Sequence, residues 1–279
     1  MSSHDVVLPG QGYKAFIKFL YNTPSQPQLI AAYKKTTTYR SISQATDRSI
    51  KATISNNNNN TNNNTNNNTN NNTTKIAIIV YTLYGHIGTL AESVKKGIES
   101  TGAECTIFQV PETLTEDVLG KMHAPPKPDY PIMTAAKMEE FDSFMFGLSG
   151  RFGIMPAQMK SFMDSTGSLW MNGKLVGKSG GCFFSTGSQG GGQETMGVAT
   201  VTFFSHHGMV FVPLGYVDPK VMSNDEPHGA SAYGCGTLAG ADGSRQPSTL
   251  EKAVGESHGK HFATIAAKLA PLKIAIIVY

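Results

Sequence analysis

The sequence predicts an α/β fold, an open, doubly wound sheet of five parallel strands with helices on both faces. Three observations predict it. Ile76 to Tyr81 is an unbroken run of β-branched and other apolar residues, as in a central parallel strand covered on both sides. Strand-like and helix-like stretches then alternate to the end of the folded part. Finally, three strands run straight into glycine-bearing loops, at 82–88, 149–155 and 185–192. In such sheets ligands bind beyond the carboxyl ends of the strands, where the strand order reverses.

In chain order, the first strand ends in Thr82, Tyr84, Gly85, His86, Gly88 and Thr89, and Leu90, Ala91, Val94 and Ile98 follow at helical spacing. Strand, hydroxyl-and-glycine loop and helix together place free backbone N–H groups and the positive end of a helix dipole at the sheet edge, where phosphate is favoured. The loop matches neither Gly-x-x-x-x-Gly-Lys-Ser/Thr nor Gly-x-Gly-x-x-Gly and carries no Lys or Arg. A monophosphate held by amides and hydroxyls, such as flavin mononucleotide (FMN), suits it better than a triphosphate; an empty strand-to-helix turn is the plainer alternative. Glu104 to Val110 reads as the second strand, followed by a polar, proline-punctuated stretch to Pro131. Met138 to Phe141 ends a short helix, Asp142 to Leu148 is the third strand, and Ala157 to Asp164 is a helix with Pro156 at its first position. Leu175 to Thr186 is the fourth strand, and a helix follows to about His207. Met209 to Pro213 is the fifth strand, 215–247 a long loop, and Ser248 to about Leu269 the closing helix.

The 279 residues do not all belong to one core. Residues 56–72 are Asn interrupted by single Thr residues, with too little apolar surface to offset chain entropy. Residues 1–74 therefore read as a disordered basic tail and spacer. Residues 1–55 hold seven Lys and Arg against two acids, a formal +5, which leaves −2 for the rest of a chain whose total is +3. The slightly basic balance belongs to the tail and gives nucleic-acid binding no support. No stretch reaches the roughly 18 apolar residues that span a bilayer. Cys105, Cys182 and Cys235 are odd in number and lack metal-ligand spacing, which fits reduced thiols in a cytoplasmic protein. Lys273 to Tyr279 repeats Lys75 to Tyr81 letter for letter, and 271–279 is read as extraneous to the domain at 75–270.

From Lys75 to about Leu269 the chain resembles the WrbA-type, flavodoxin-like NAD(P)H:quinone oxidoreductases. The motifs that carry the resemblance are Tyr84-Gly85-His86-Ile87, Arg151-Phe152-Gly153, and Asp164-x-Thr166-Gly167-x-Leu169-Trp170. They continue with Ser185-Thr186-Gly187 followed by Gly190 to Glu194, His206-His207-Gly208-Met209, and Gly240-x-Asp242-Gly243-Ser244-Arg245. The resemblance implies FMN as cofactor, with its phosphate on Thr82, Leu83, Tyr84, Gly85, His86 and Ile87. It sets Gly150, Arg151 and Phe152 beside the flavin ring and Ser185, Thr186, Gly187, Ser188, Gln189 and Gly190 on the ring's other side. It further implies His206 at the flavin near its reactive edge, Tyr84 at NAD(P)H, Trp170 against the quinone from a neighbouring subunit, and a homotetramer that passes a hydride from NAD(P)H to flavin and both electrons on to quinone. A flavodoxin-like electron carrier, or a scaffold that does not turn over, is the alternative. The family usually has Pro and Thr where Ser149 and Gly150 stand, so one hydroxyl contact to the cofactor is missing. Read as residues alone, an arginine such as Arg151 in a loop is more often a solvated charge, Trp170 is equally core packing, and His206 with His207 reads as a helix cap that only the resemblance raises to a flavin contact.

Overall fold

The computed structural model describes residues 73–270. The basic tail and spacer, apart from Thr73 and Thr74, and the repeat at 271–279 lie outside the described residues. Thr74 already joins the sheet, its carbonyl accepting the Glu104 N–H at 3.0 Å.

The elements are β1 (Lys75–Val80), α1 (His86–Glu99), β2 (Glu104–Gln109), α2 (Glu116–Lys121), β3 (Ser143–Ser149), α3 (Ala157–Asp164) and α4 (Gly167–Met171). They continue with β4 (Ser179–Thr186), α5 (Gln193–His206), β5 (Val210–Phe211), β6 (Gly236–Leu238) and α6 (Thr249–Leu269). All pairings between these strands are parallel, in the order β2-β1-β3-β4-β5 with β6 also on β4. This is the flavodoxin-like order. Because side chains alternate across a strand, β1 feeds two cores. Ile76, Ile78 and Val80 pack with Leu90, Val94, Ile98 and Phe262 of α1 and α6; Ala77 and Ile79 pack with Met159, Phe162, Met196 and Phe204 of α3 and α5. The sheet is thus covered on both faces, as the run of apolar residues predicts.

The sequence reading needs correction in several places. The sheet has six strands, because its fifth position is shared: β5 pairs with Ser179–Gly180 and β6 with Phe184–Thr186. The three residues of β6, Gly-Thr-Leu, carry no apolar run to announce a strand, so 215–247 read as loop throughout. β4 starts at Ser179 rather than Leu175, after a turn through Gly177. Pro156 is the N-cap of α3, extended at ψ 156, not its first helical residue. Helix α1 starts at His86, so His86 to Thr89 are its first turn instead of loop. The short helices α2 and α4 escaped notice because neither is long enough to show a period. Cys105, Cys182 and Cys235 are all buried and unpaired, and burial pushes the Cys105 thiol up to about 12. Among the described residues no helix is long and apolar enough to cross a membrane.

Candidate functional site

The carboxyl ends of β1, β3 and β4 open onto one cleft of about 380 Å³. Its first wall is Thr82, Leu83, Tyr84, His86 and Ile87. Gly85 connects them as the N-cap of α1 at φ 92, a conformation cheap only for glycine, and its N–H donates to Thr82 Oγ1 at 3.0 Å. No side chain caps this helix and its first turn holds no acid, so the dipole's positive end is left uncompensated by the chain itself. His86 is buried in this wall and its Nε2 has no hydrogen-bond partner.

The second wall is Ser149, Gly150 and Arg151. Arg151 and Ile154 exchange backbone hydrogen bonds at 2.8 and 3.0 Å, closing a turn whose central residues Phe152 and Gly153 both have positive φ, 51 and 79. That is the handedness of a type I′ turn, and it throws the Phe152 ring wholly into solvent rather than into the cleft. The Arg151 guanidinium donates to the Gly150 carbonyl at 2.9 Å and is the single Lys or Arg on the cleft wall. At Gly150 a Cβ would stand 3.1 Å from Met196 Cε and from Thr186 Cγ2, so a threonine here would need these side chains to give by a few tenths of an ångström.

The third wall is Ser185, Thr186 and Gly187. Ser188, Gln189 and Gly190 leave the cleft and line an adjoining groove with His228 to Ser231. The second and third loops touch: a Cβ on Gly192 would lie 2.4 Å from Gly153 Cα, and Thr195 Oγ1 donates to the Gly153 carbonyl at 2.6 Å. A fourth wall, Ala239 to Gly243, overlaps the motif at 240–245, whose residues were given no individual role at the cofactor. It hangs from β4 through the Ala239 N–H to the Thr186 carbonyl, 2.8 Å. Asp242 folds it by accepting from the Ser244 N–H and hydroxyl, and these bonds hold its carboxyl below the usual range. The Gly-x-Asp-Gly-Ser spacing was the available signal, but a glycine turn behind an unseen strand gives no direction.

Trp170 and His206 are not at this cleft. Helix α5 leaves the third loop at Gln193 and carries His206 about 20 Å toward the amino ends of the strands. There His206 is exposed, and Trp170, 57% exposed on α4, shares that end of the sheet. Between them His207 is buried, its Nε2 2.9 Å from Thr166 Oγ1, which itself donates to the Met163 carbonyl. The proton therefore sits on Nε2, and burial, then the neighbouring His206, holds His207 below its ordinary value. His207 joins α4 to α5. Tyr84 stands at the cleft rim, half-exposed, its hydroxyl donating to the Met122 carbonyl at 3.2 Å. The arrangement can hold an anion at the bare end of α1 and a flat group between the other walls.

The model for NADPH-dependent FMN reductases matches residues 74–220. The NAD(P)H quinone oxidoreductase PST3 of Candida albicans is 52% identical over 196 residues, spanning 70% of this chain and 98% of its own. Quinone-oxidoreductase QR2 of Triphysaria versicolor is 50% identical over 198 residues, 70% of this chain and 97% of its own. A solved WrbA-like flavodoxin from Agrobacterium tumefaciens aligns at 21% identity over 71% of this chain and 99% of its own, with a TM-score of 0.49.

Proposed function

The chain belongs to the family of NADPH-dependent FMN reductases, and on that premise we propose that it is an FMN-dependent NAD(P)H:quinone oxidoreductase. The observation that carries the reading is the meeting of 82–87, 149–151 and 185–187 at one cleft over a helix end that the chain leaves uncapped. The residues fit a singly phosphorylated flavin. The first-turn N–H groups of α1, the Thr82 hydroxyl and the partnerless His86 Nε2 suit its phosphate. Gly150, Arg151 and Ser185 to Gly187 suit the ring, whereas Phe152, turned into solvent, does not reach it; Ser188 to Gly190, in the next groove, stand behind that wall. Bound there, FMN would supply hydride acceptance from a reduced nicotinamide and two-electron reduction of a quinone, and the protein's part would be orientation and field. Tyr84, with its ring at the rim and its hydroxyl tied to Met122, suits a face for the nicotinamide.

Trp170 lies away from its own chain's cleft, as the proposed supply from a neighbouring subunit of a homotetramer requires; His206, expected at the flavin, also lies away from it, so any role at the ring would have to be in a neighbour's cleft. We further propose a cytoplasmic location, which is compatible with three buried cysteines that are not paired with one another. The test is colour. The purified chain is loaded with FMN, then treated anaerobically with NADH or NADPH and next with benzoquinone. Bleaching followed by recovery is expected. Colour without bleaching would make the protein an electron carrier, and failure to take up FMN would make it a scaffold.

A further inference from the structure

We propose that Lys127, a residue outside the cleft, positions the first loop's backbone for phosphate, and that its pair with Glu112 is the fixed rear support of that subsite. The proposal rests on the flavin reading and deepens it. The loop brings no cation of its own between Thr82 and Thr89. The cation comes from 45 residues further on: Lys127 Nζ donates to the Thr82 carbonyl at 2.9 Å, pairs with Glu112 at 2.8 Å and lies 4.4 Å from the centre of the Tyr81 ring. Three contacts on a side chain only 27% exposed fix the ammonium in place.

Glu112 is fixed in turn. It accepts from the Tyr81 hydroxyl at 3.0 Å, the Gln158 amide at 3.1 Å, and the N–H groups of Thr113 and Leu114 at 2.8 and 3.0 Å. Burial opposes its ionisation, but Lys127 and these donors outweigh it and hold the carboxyl down to about 2. Glu112 therefore stays a carboxylate throughout the working range. The pair is an anchor.

The planar trans peptide makes that anchor matter for a ligand. The Thr82 carbonyl and the Leu83 N–H belong to one rigid unit and point in opposite directions. Drawing the carbonyl back onto Lys127 turns the Leu83 N–H away from the ammonium, and Leu83 is one of the residues that line the cleft. A flip of this peptide would show an anion a carbonyl oxygen instead of a donor, and the Lys127 bond opposes the flip. The same 112–131 segment grips the loop again where Met122 accepts the Tyr84 hydroxyl.

FMN and riboflavin differ by the phosphate alone, so their dissociation constants, read by flavin fluorescence on the full chain, isolate this role. Lys127→Met is expected to weaken FMN about 10- to 100-fold, the scale of one charge-assisted hydrogen bond, and riboflavin by less than about 2-fold. Lys127→Arg, which keeps a charged donor, should restore most of the loss. Because Lys127→Met leaves Glu112 without its cation, the Lys127→Met/Glu112→Gln double variant removes the stranded charge and should show the same FMN loss. In parallel, inorganic phosphate should raise the Tm of the apo wild type and not that of Lys127→Met. Equal losses for FMN and riboflavin, or unchanged FMN binding, would overturn the role of Lys127. Failure of the wild type to bind FMN would overturn the flavin reading instead, while the phosphate shift still reports on Lys127; no shift in the wild type removes both.

Discussion

Two helices start at the same edge of the sheet and end their chains of hydrogen bonds in opposite ways. At α6 the terminus is filled from within. Ser248 Oγ accepts the Glu251 N–H at 3.2 Å, and the Glu251 carboxylate returns the bond to the Ser248 N–H at 2.8 Å. That carboxylate is wholly buried and also accepts from the Gly229 and Leu238 N–H groups, the Thr237 hydroxyl and the Arg245 guanidinium. At α1 a glycine stands at the N-cap, no side chain returns a bond, and a cleft opens where the carboxylate would be. A helix end that supplies its own anion is architecture; one lined with hydroxyls and glycine and left bare is a place for someone else's.

The comparison can be broken from the filled side first. Glu251→Ala leaves Arg245 and two buried N–H groups without their acceptor, and removing one partner of a buried pair costs about 3 to 5 kcal/mol. Urea unfolding should show that loss, together with weaker FMN binding, because Arg245 and Leu238 support the 239–243 wall. Acid should act on the same region. His258 of α6 is fully buried, accepts the Cys235 N–H at 3.2 Å, and is held down to about 3 by burial and then by His261, against an ordinary 6.5. Between those values the unfolded chain binds a proton that the folded chain refuses. Stability is therefore intact above pH 6.5 and falls as pH drops, by up to about 1.4 kcal/mol per pH unit. His258→Phe should flatten unfolding free energy against pH in that window. Glu251, whose carboxyl Arg245 and the surrounding donors hold below the usual range in spite of burial, adds a loss of the same sign only below pH 4.5.

The bare side is tested by filling it. Gly85→Asp places a carboxylate of the chain's own at the N-cap. It should cut FMN affinity at least about tenfold through repulsion and competition for the first-turn N–H groups, and cost about 1 to 3 kcal/mol of stability, because φ 92 is strained for any residue with a Cβ. Gly85→Val should lose affinity as well and cost about 1 to 3 kcal/mol of stability, since φ 92 is strained for a β-branched residue although a bare Cβ meets nothing within 4 Å. The smallest effect is expected for Ser248→Ala, about 1 kcal/mol in thermal or urea unfolding with FMN binding unchanged.

What was legible in the sequence follows the same division. The buried strand Lys75–Val80, helix α3 from Ala157 to Asp164 behind Pro156 and the closing helix from about Ser248 were read at nearly their observed bounds. The first three cleft walls were legible because each glycine loop follows a clear strand. The fourth was not, since β6 is three residues long and shares the fifth sheet position with β5. Arg151 and Phe152 are adjacent in sequence, yet only Arg151 reaches the cleft, because the two left-handed residues at 152 and 153 turn the ring outward. Lys127 was invisible for a different reason: its partners Thr82 and Glu112 are 45 and 15 residues away, and nothing local marks a lysine in a proline-rich stretch as paired. Spacing reveals what acts through its own element, while contacts across the chain need the fold.

The central claim, that the bare end of α1 and its three neighbouring loops hold a singly phosphorylated flavin, is tested most directly by equilibrium titration of the apo chain with FMN alongside riboflavin. The account predicts saturation at a single equivalent of FMN per chain, with riboflavin bound more weakly because the α1 terminus has no phosphate to hold. Equal affinity for the two, or no uptake of FMN at saturating concentration, would contradict it.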